Sequence, residues 1–147
     1  MKTWQTLALA MPLLAACGYV QQQKEPPPKP FVGTRWTVVL DLPVKGEQPN
    51  FRFGDGRMEG FGGCNQVNAR YVQDAVGARA IAIGRIDSGR RGCDPSTQAA
   101  ENRVLEVLQS VSSYSITGDA LTMSGSGGTL KFRAPVEPKP AVEGKKP

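Results

Sequence analysis

The sequence predicts a mainly β domain: a rolled antiparallel sheet or small barrel of about eight short strands, with one amphipathic helix packed on it. Three observations carry this. Pairs of large apolar residues recur at alternate positions, as in Trp36/Val38/Leu40, Phe51/Phe53, Tyr114/Ile116, Leu121/Met123 and Leu130/Phe132, the period of a strand with one buried face. Turn signals separate them: Gly54-Asp55-Gly56, Gly118-Asp119 and Gly125-Ser126-Gly127-Gly128. A single stretch changes period, from Asp94-Pro95 onward, where Ala100, Val104, Leu108 and Val111 recur at helical spacing with Val107 beside them.

Taken in order, the first strand spans Thr34 to Asp41. Phe51 and Phe53 open a hairpin that turns at Gly54-Asp55-Gly56 and returns from Arg57 to Phe61. Weaker strands are expected at 69–73, centred on Tyr71, and at 79–86, where Ile81 and Ile83 share a face. Asp94 can cap the free amides of the helix, and Pro95 at the first helical position sacrifices no needed donor. Glu101, Arg103 and Glu106 are read as lying off the apolar stripe. A β-meander closes the domain. Its glycine-rich turn is followed by no helix and no Gly-Lys-Ser/Thr, so it reads as turn geometry rather than a phosphate loop.

The folded part is bounded at about 31–134. Residues 1–16 read as a secretory signal: Met1-Lys2 gives a positive start, and Leu7 to Leu14 is an apolar run too short for a spanning helix. Leu14-Ala15-Ala16-Cys17 resembles the bacterial lipobox, in which the cysteine thiol receives a diacylglycerol. Gly18 is not the aspartate that, in the proteobacterial sorting rule, favours the inner membrane. The expected address is therefore the outer membrane, facing the periplasm, with the membrane itself as a partner through the lipid on Cys17. Residues 17–30 end in Pro26-Pro27-Pro28-Lys29-Pro30 and read as a stiff tether. Residues 135–147, with Lys139, Lys145 and Lys146 among prolines, read as a solvated tail.

The net charge is +5, but within 31–134 twelve Lys and Arg face ten Asp and Glu, interspersed along the chain. That is not the concentrated basic footprint of a nucleic-acid binder. Histidine is absent, which excludes a Ser-His-Asp triad, a Cys-His pair and imidazole metal sites. No catalytic residue, metal ligand or cofactor site is assigned.

Gly60-Phe61-Gly62-Gly63-Cys64-Asn65, Cys93 before the helix, Trp36, and Tyr114-Ser115-Ile116-Thr117-Gly118-Asp119-Ala120-Leu121 stand in an order that resembles the META domain of HslJ-type lipoproteins. The likeness covers nearly all of 31–134, with Gly63, Cys64, Asn65 and Trp36 as structural members of its pattern. It implies a β-dominated fold with one helix and a role in envelope stress or resistance to an antibiotic such as novobiocin. The chain departs from the family at Arg90-Arg91-Gly92, where a Thr-x-Met-Ala-like approach to the cysteine is usual.

With Cys17 lipidated, Cys64 and Cys93 are the remaining pair, and an oxidising compartment favours their disulfide. Their 29-residue separation is unlike a redox Cys-x-x-Cys. Asn65 is expected to serve its own turn. The leading expectation is a non-enzymatic envelope module that presents the loop Asp87 to Gly92, where Asp87, Arg90 and Arg91 form a candidate surface for an envelope protein, lipopolysaccharide or peptidoglycan. Two other classes stand beside it. One is a protease-inhibitor-like or small-ligand-binding barrel. The other, ranked last, is a hydrolase using two of Asp41, Asp55, Glu59, Asp87 and Asp94.

Overall fold

The computed structural model describes residues 27–41, 44–74 and 79–136. The signal stretch, Cys17, most of the tether and the tail from residue 137 lie outside the described residues. Nine strands and one helix follow one another as β1 (Arg35–Val38), β2 (Asn50–Gly54), β3 (Arg57–Phe61), β4 (Gln66–Gln73), β5 (Ile81–Ile83), β6 (Asp87–Ser88), α1 (Pro95–Ser110), β7 (Val111–Thr117), β8 (Ala120–Gly125) and β9 (Gly128–Arg133). All pairings between these strands are antiparallel, in the order β5-β4-β3-β2-β1-β9-β8-β7, with β6 added beside β4. An isolated bridge between Ala80 and Ser113 draws β5 and β7 together and nearly closes the sheet into a barrel.

Period-two patterning decides what faces inward. Trp36, Phe51, Phe53, Met58, Leu121 and Met123 are completely buried inside the barrel, while their neighbours along each strand, the buried Asn50 excepted, are half-buried or exposed. The β2–β3 hairpin turns through Asp55 and Gly56, both at positive φ (49° and 70°), the left-handed pair that matches the twist of the flanking strands.

Three expectations are corrected. β4 begins at Gln66, three residues before the expected strand, because Val67 and Ala69 continue the inward alternation of Tyr71 with smaller side chains. The 79–86 stretch is a strand only over Ile81–Ile83, and Asp87–Ser88, read as loop, pairs with Asn68 and Val67 as β6. Val111 is not the last residue of the helical stripe; its extended backbone ends α1 and starts β7.

The two mouths of the barrel are closed differently. At one, α1 lies over the strand ends: Gln109 donates to the carbonyls of Ile83 and Gly84 after β5, and Ser110 Oγ accepts from the Gly127 amide in the β8–β9 turn. Val104, Val107 and Leu108 point from the helix into the common core. At the other mouth the chain before β1 crosses the opening. Phe31 stacks between Phe53 and Tyr114, with centroids 4.5 and 4.6 Å away, and meets Tyr71 edge-on at 5.9 Å. Trp36 Nε1 donates to the Phe31 carbonyl at 3.0 Å and fixes the plug in place.

Candidate functional site

The most elaborate polar structure sits at the helix-covered mouth, where the β3–β4 turn, the segment before α1 and the first turns of α1 meet. Gly62 and Gly63 shape the turn for different reasons. Gly63 has φ +115°, a conformation that side chains disfavour. At Gly62 a Cβ would lie 2.7 Å from the Glu101 carboxylate, so only glycine admits that group to the backbone.

Glu101 is 1% exposed. Its Oε2 accepts from the backbone amides of Cys64 (2.9 Å) and Asn65 (2.6 Å), and its Oε1 accepts from Asn65 Nδ2 (2.9 Å). A carboxylate withdrawn from water needs this number of donors. The assignment of Glu101 to the solvent face of the helix is thus overturned. It shares the buried face with Thr97, Val104 and Leu108, which are spaced i−4, i+3 and i+7 from it. The helical spacing carried that signal; the charge concealed it.

Asn65 also acts differently from expectation. Rather than bonding its own turn, its side chain bridges two segments, donating to Glu101 and accepting at Oδ1 from the Arg91 amide at 2.8 Å. Cys64 and Cys93 form a disulfide, with Cα atoms 6.0 Å apart. In the chain-entropy description a loop of this length contributes about 3 to 4 kcal/mol. The loop from Gly89 to Cys93 is therefore fixed at both ends.

The proposed surface residues separate. Arg91 turns back and donates from Nη2 to the Cys64 carbonyl at 2.9 Å, so it locks the loop rather than projecting from it. Arg90 is exposed and forms no ion pair or hydrogen bond through its side chain among the described residues. Asp87 is in β6, 3.9 Å from Arg85. Trp36 is buried toward the opposite mouth, and Cys17 lies outside the described residues.

The five carboxylates considered for hydrolysis are spread over the molecule. Asp55 is in the β2–β3 turn, Asp41 follows β1, and Asp94 caps α1. Hydrogen bonds from the Ser96 hydroxyl, then the Thr97 hydroxyl and amide, hold the Asp94 carboxyl below the usual carboxylate range. Glu59 and Asp87 share a cross-strand row through Asn68, but each faces an arginine, Arg57 at 3.6 Å and Arg85 at 3.9 Å. Among the described residues no three His, Cys, Asp or Glu side chains gather to hold a metal.

Phe61, which sequence reasoning treated only as strand, is half-buried on the outer face beside Gln66. Open clefts around it run toward Arg35 and Arg52 on one side, and toward Asp94, Arg90 and Arg91 on the other. The arrangement offers a rigid loop carrying the unengaged Arg90 and an aromatic floor, which suits surface contact.

The family model of the META domain matches residues 29–137. Three solved structures share the fold. A Burkholderia xenovorans protein solved by NMR is 16% identical, with a TM-score of 0.60 over 73% of this chain and 85% of its own. A second NMR structure is 17% identical, with a TM-score of 0.54 over 68% of this chain and 87% of its own. A DUF4847 family protein from Bacteroides vulgatus, in a crystal structure, is 14% identical, with a TM-score of 0.51 over 74% of this chain and 96% of its own. No curated protein matches the sequence significantly.

Proposed function

The chain belongs to the META domain family, and on that premise we propose that it is a lipid-anchored envelope lipoprotein whose domain acts as a non-enzymatic binding module. Anchoring through Cys17 in the outer membrane, facing the periplasm, rests on the lipobox-like Leu14-Ala15-Ala16-Cys17 and on Gly18. Several acyl chains, at about 0.8 kcal/mol for each buried methylene, hold such an anchor without a spanning helix. The HslJ-type resemblance supports a role in envelope stress or antibiotic tolerance.

One observation carries the module reading: the fixed loop Gly89 to Cys93 lies at the mouth opposite the one where the tether enters. Residues 29–34 cross the plugged mouth, whereas the disulfide, Asn65 and Arg91 hold the loop at the other. Residues 18–28, at about 3.1 Å each, give the tether a reach of roughly 34 Å, and Arg90 at the far mouth faces away from the bilayer toward an anionic envelope partner.

The test is a deletion strain rescued by wild-type protein, Cys17→Ser or Arg90→Ser, with crosslinking in the rescued cells. Wild type is expected to restore drug tolerance and capture a partner, with tolerance lost in Cys17→Ser and capture reduced in Arg90→Ser. Equal rescue by all three, with nothing captured, would sink the tethered-module reading.

A further inference from the structure

The outer face of the β1–β4 sheet sets arginines directly against arginines. Arg35 in β1 is the Cα partner of Arg52 in β2, which has Glu59 in β3 opposite on its other side, and Arg57 in β3 is the partner of Arg70 in β4. All four are exposed, and they share the outer face because Trp36, Phe51, Met58 and Ala69 beside them are buried inside. Like charges placed directly opposite on a sheet destabilise it.

Three carboxylates stand near these arginines. Glu59 lies 3.6 Å from Arg57, Asp87 is 3.9 Å from Arg85, and Glu47 accepts from Asn50 Nδ2 at 2.9 Å. Arg35, Arg52 and Arg70 form no ion pair and no side-chain hydrogen bond among the described residues. These three exposed cations are left without a contact partner on this face.

Position supplies the second observation. The Lys29 amide bonds the Gly118 carbonyl and the Ala134 amide bonds the Asp119 carbonyl, so both ends of the domain leave beside the β7–β8 turn at the plugged mouth. Arg57 follows the turn of the β2–β3 hairpin at that same mouth, and the Tyr71 amide, next to Arg70, bonds the Gly56 carbonyl of that turn. The opposed arginines therefore lie toward the tether end. Lys24 in the tether and Lys139, Lys145 and Lys146 in the tail belong to segments that join the domain there.

We propose that this face docks on the headgroups of anionic phospholipid, whose phosphodiesters sit between Arg35 and Arg52 and beside Arg70, the three arginines that no carboxylate contacts. Guanidinium forks match phosphate oxygens, and the exposed, convex sheet suits a lipid surface. The inference rests on the lipid-anchor reading, which places this end of the barrel at the bilayer. Docking holds the Arg90 loop at a fixed side of the membrane.

The experiment uses the unacylated mature chain, residues 17–147 carrying Cys17→Ser, in flotation with phosphatidylcholine vesicles prepared with and without phosphatidylglycerol. Binding is expected only with phosphatidylglycerol and is expected to weaken with salt. The double variant Arg35→Gln/Arg52→Gln should bind about 25-fold less, at about five-fold for each arginine.

Undiminished binding by the double variant, equal binding to phosphatidylcholine alone, or equally strong competition by polyglutamate would overturn the proposal. Palmitate incorporation at Cys17 in cells is scored separately, so failure of the docking face is distinguishable from failure of the anchor.

Discussion

The barrel closes its two mouths with opposite chemistry. At the helix-covered mouth the closure is polar and long-range: Glu101 holds Cys64 and Asn65 from 37 and 36 residues away, and the disulfide spans 29. At the plugged mouth it is apolar, with Phe31 seated among Phe53, Tyr71 and Tyr114 from equally distant parts of the chain and tied by Trp36 five residues on. Hydrogen bonds to a buried carboxylate fix direction and register, whereas ring packing fixes volume and tolerates rearrangement. The mouth that must hold a loop in one place uses the directional closure; the mouth that only has to exclude water uses the plastic one.

The largest expected effect tests the polar closure. Glu101→Leu removes the acceptor for three buried donors and should cost about 3 to 5 kcal/mol in urea unfolding. Glu101→Gln should recover only part of it, since its amide nitrogen would face either the Asn65 Nδ2 donor or both backbone N–H donors that share Oε2. If Glu101→Gln matches wild type, the carboxylate is not what holds the mouth.

At the plugged mouth Phe31→Ala should cost about 2 to 4 kcal/mol by the same measurement, and Phe31→Leu less than about 1.5 kcal/mol. A loss from Phe31→Leu as large as from Phe31→Ala would show that ring stacking, not volume, closes this end, and the contrast between the mouths would narrow.

The smallest effect is in the pH dependence, with opposite signs at the two ends. The Asp94 carboxyl is held low by Ser96 and Thr97, so as pH falls below about 4 the unfolded chain takes up its proton first and stability declines. Tyr71 is pushed above its ordinary value of 10.0 by burial, then by the Asp55 charge and by Tyr114. Above about pH 10 the unfolded chain loses that proton first, so stability declines as pH rises. Unfolding midpoints across pH should show both slopes, with Asp94→Asn flattening the acid limb and Tyr71→Phe the alkaline one.

Much of the fold was legible because period-two alternation is written into each strand separately. Phe51/Phe53, Leu121/Met123 and Leu130/Phe132 declare a buried face without reference to any partner, and Asp55-Gly56 declares its own turn. Asp94-Pro95 announced the start of α1 for the same reason: a cap is satisfied within one turn of helix. β6 was not legible, because Asp87 and Ser88 are a strand only through their bonds to β4.

The site divides along the same line. Cys64 and Cys93 could be paired by elimination, since their chemistry is unusual and their number small. Glu101 could not be placed by composition, because whether a carboxylate is buried depends on amides that reach it from a turn 36 residues earlier. Arg90 and Arg91 are adjacent, identical in type and both exposed, yet only Arg91 locks the Cys64 carbonyl. The opposed arginines likewise exist only in the register of β1 with β2 and of β3 with β4. The sequence by itself determined most of the strands, the turns, the helix start and the available cysteines, because each depends on neighbours along the chain. Only the tertiary structure decided which charges are buried, paired or set against each other, because Coulomb and hydrogen-bond energies depend on distances that the fold alone creates.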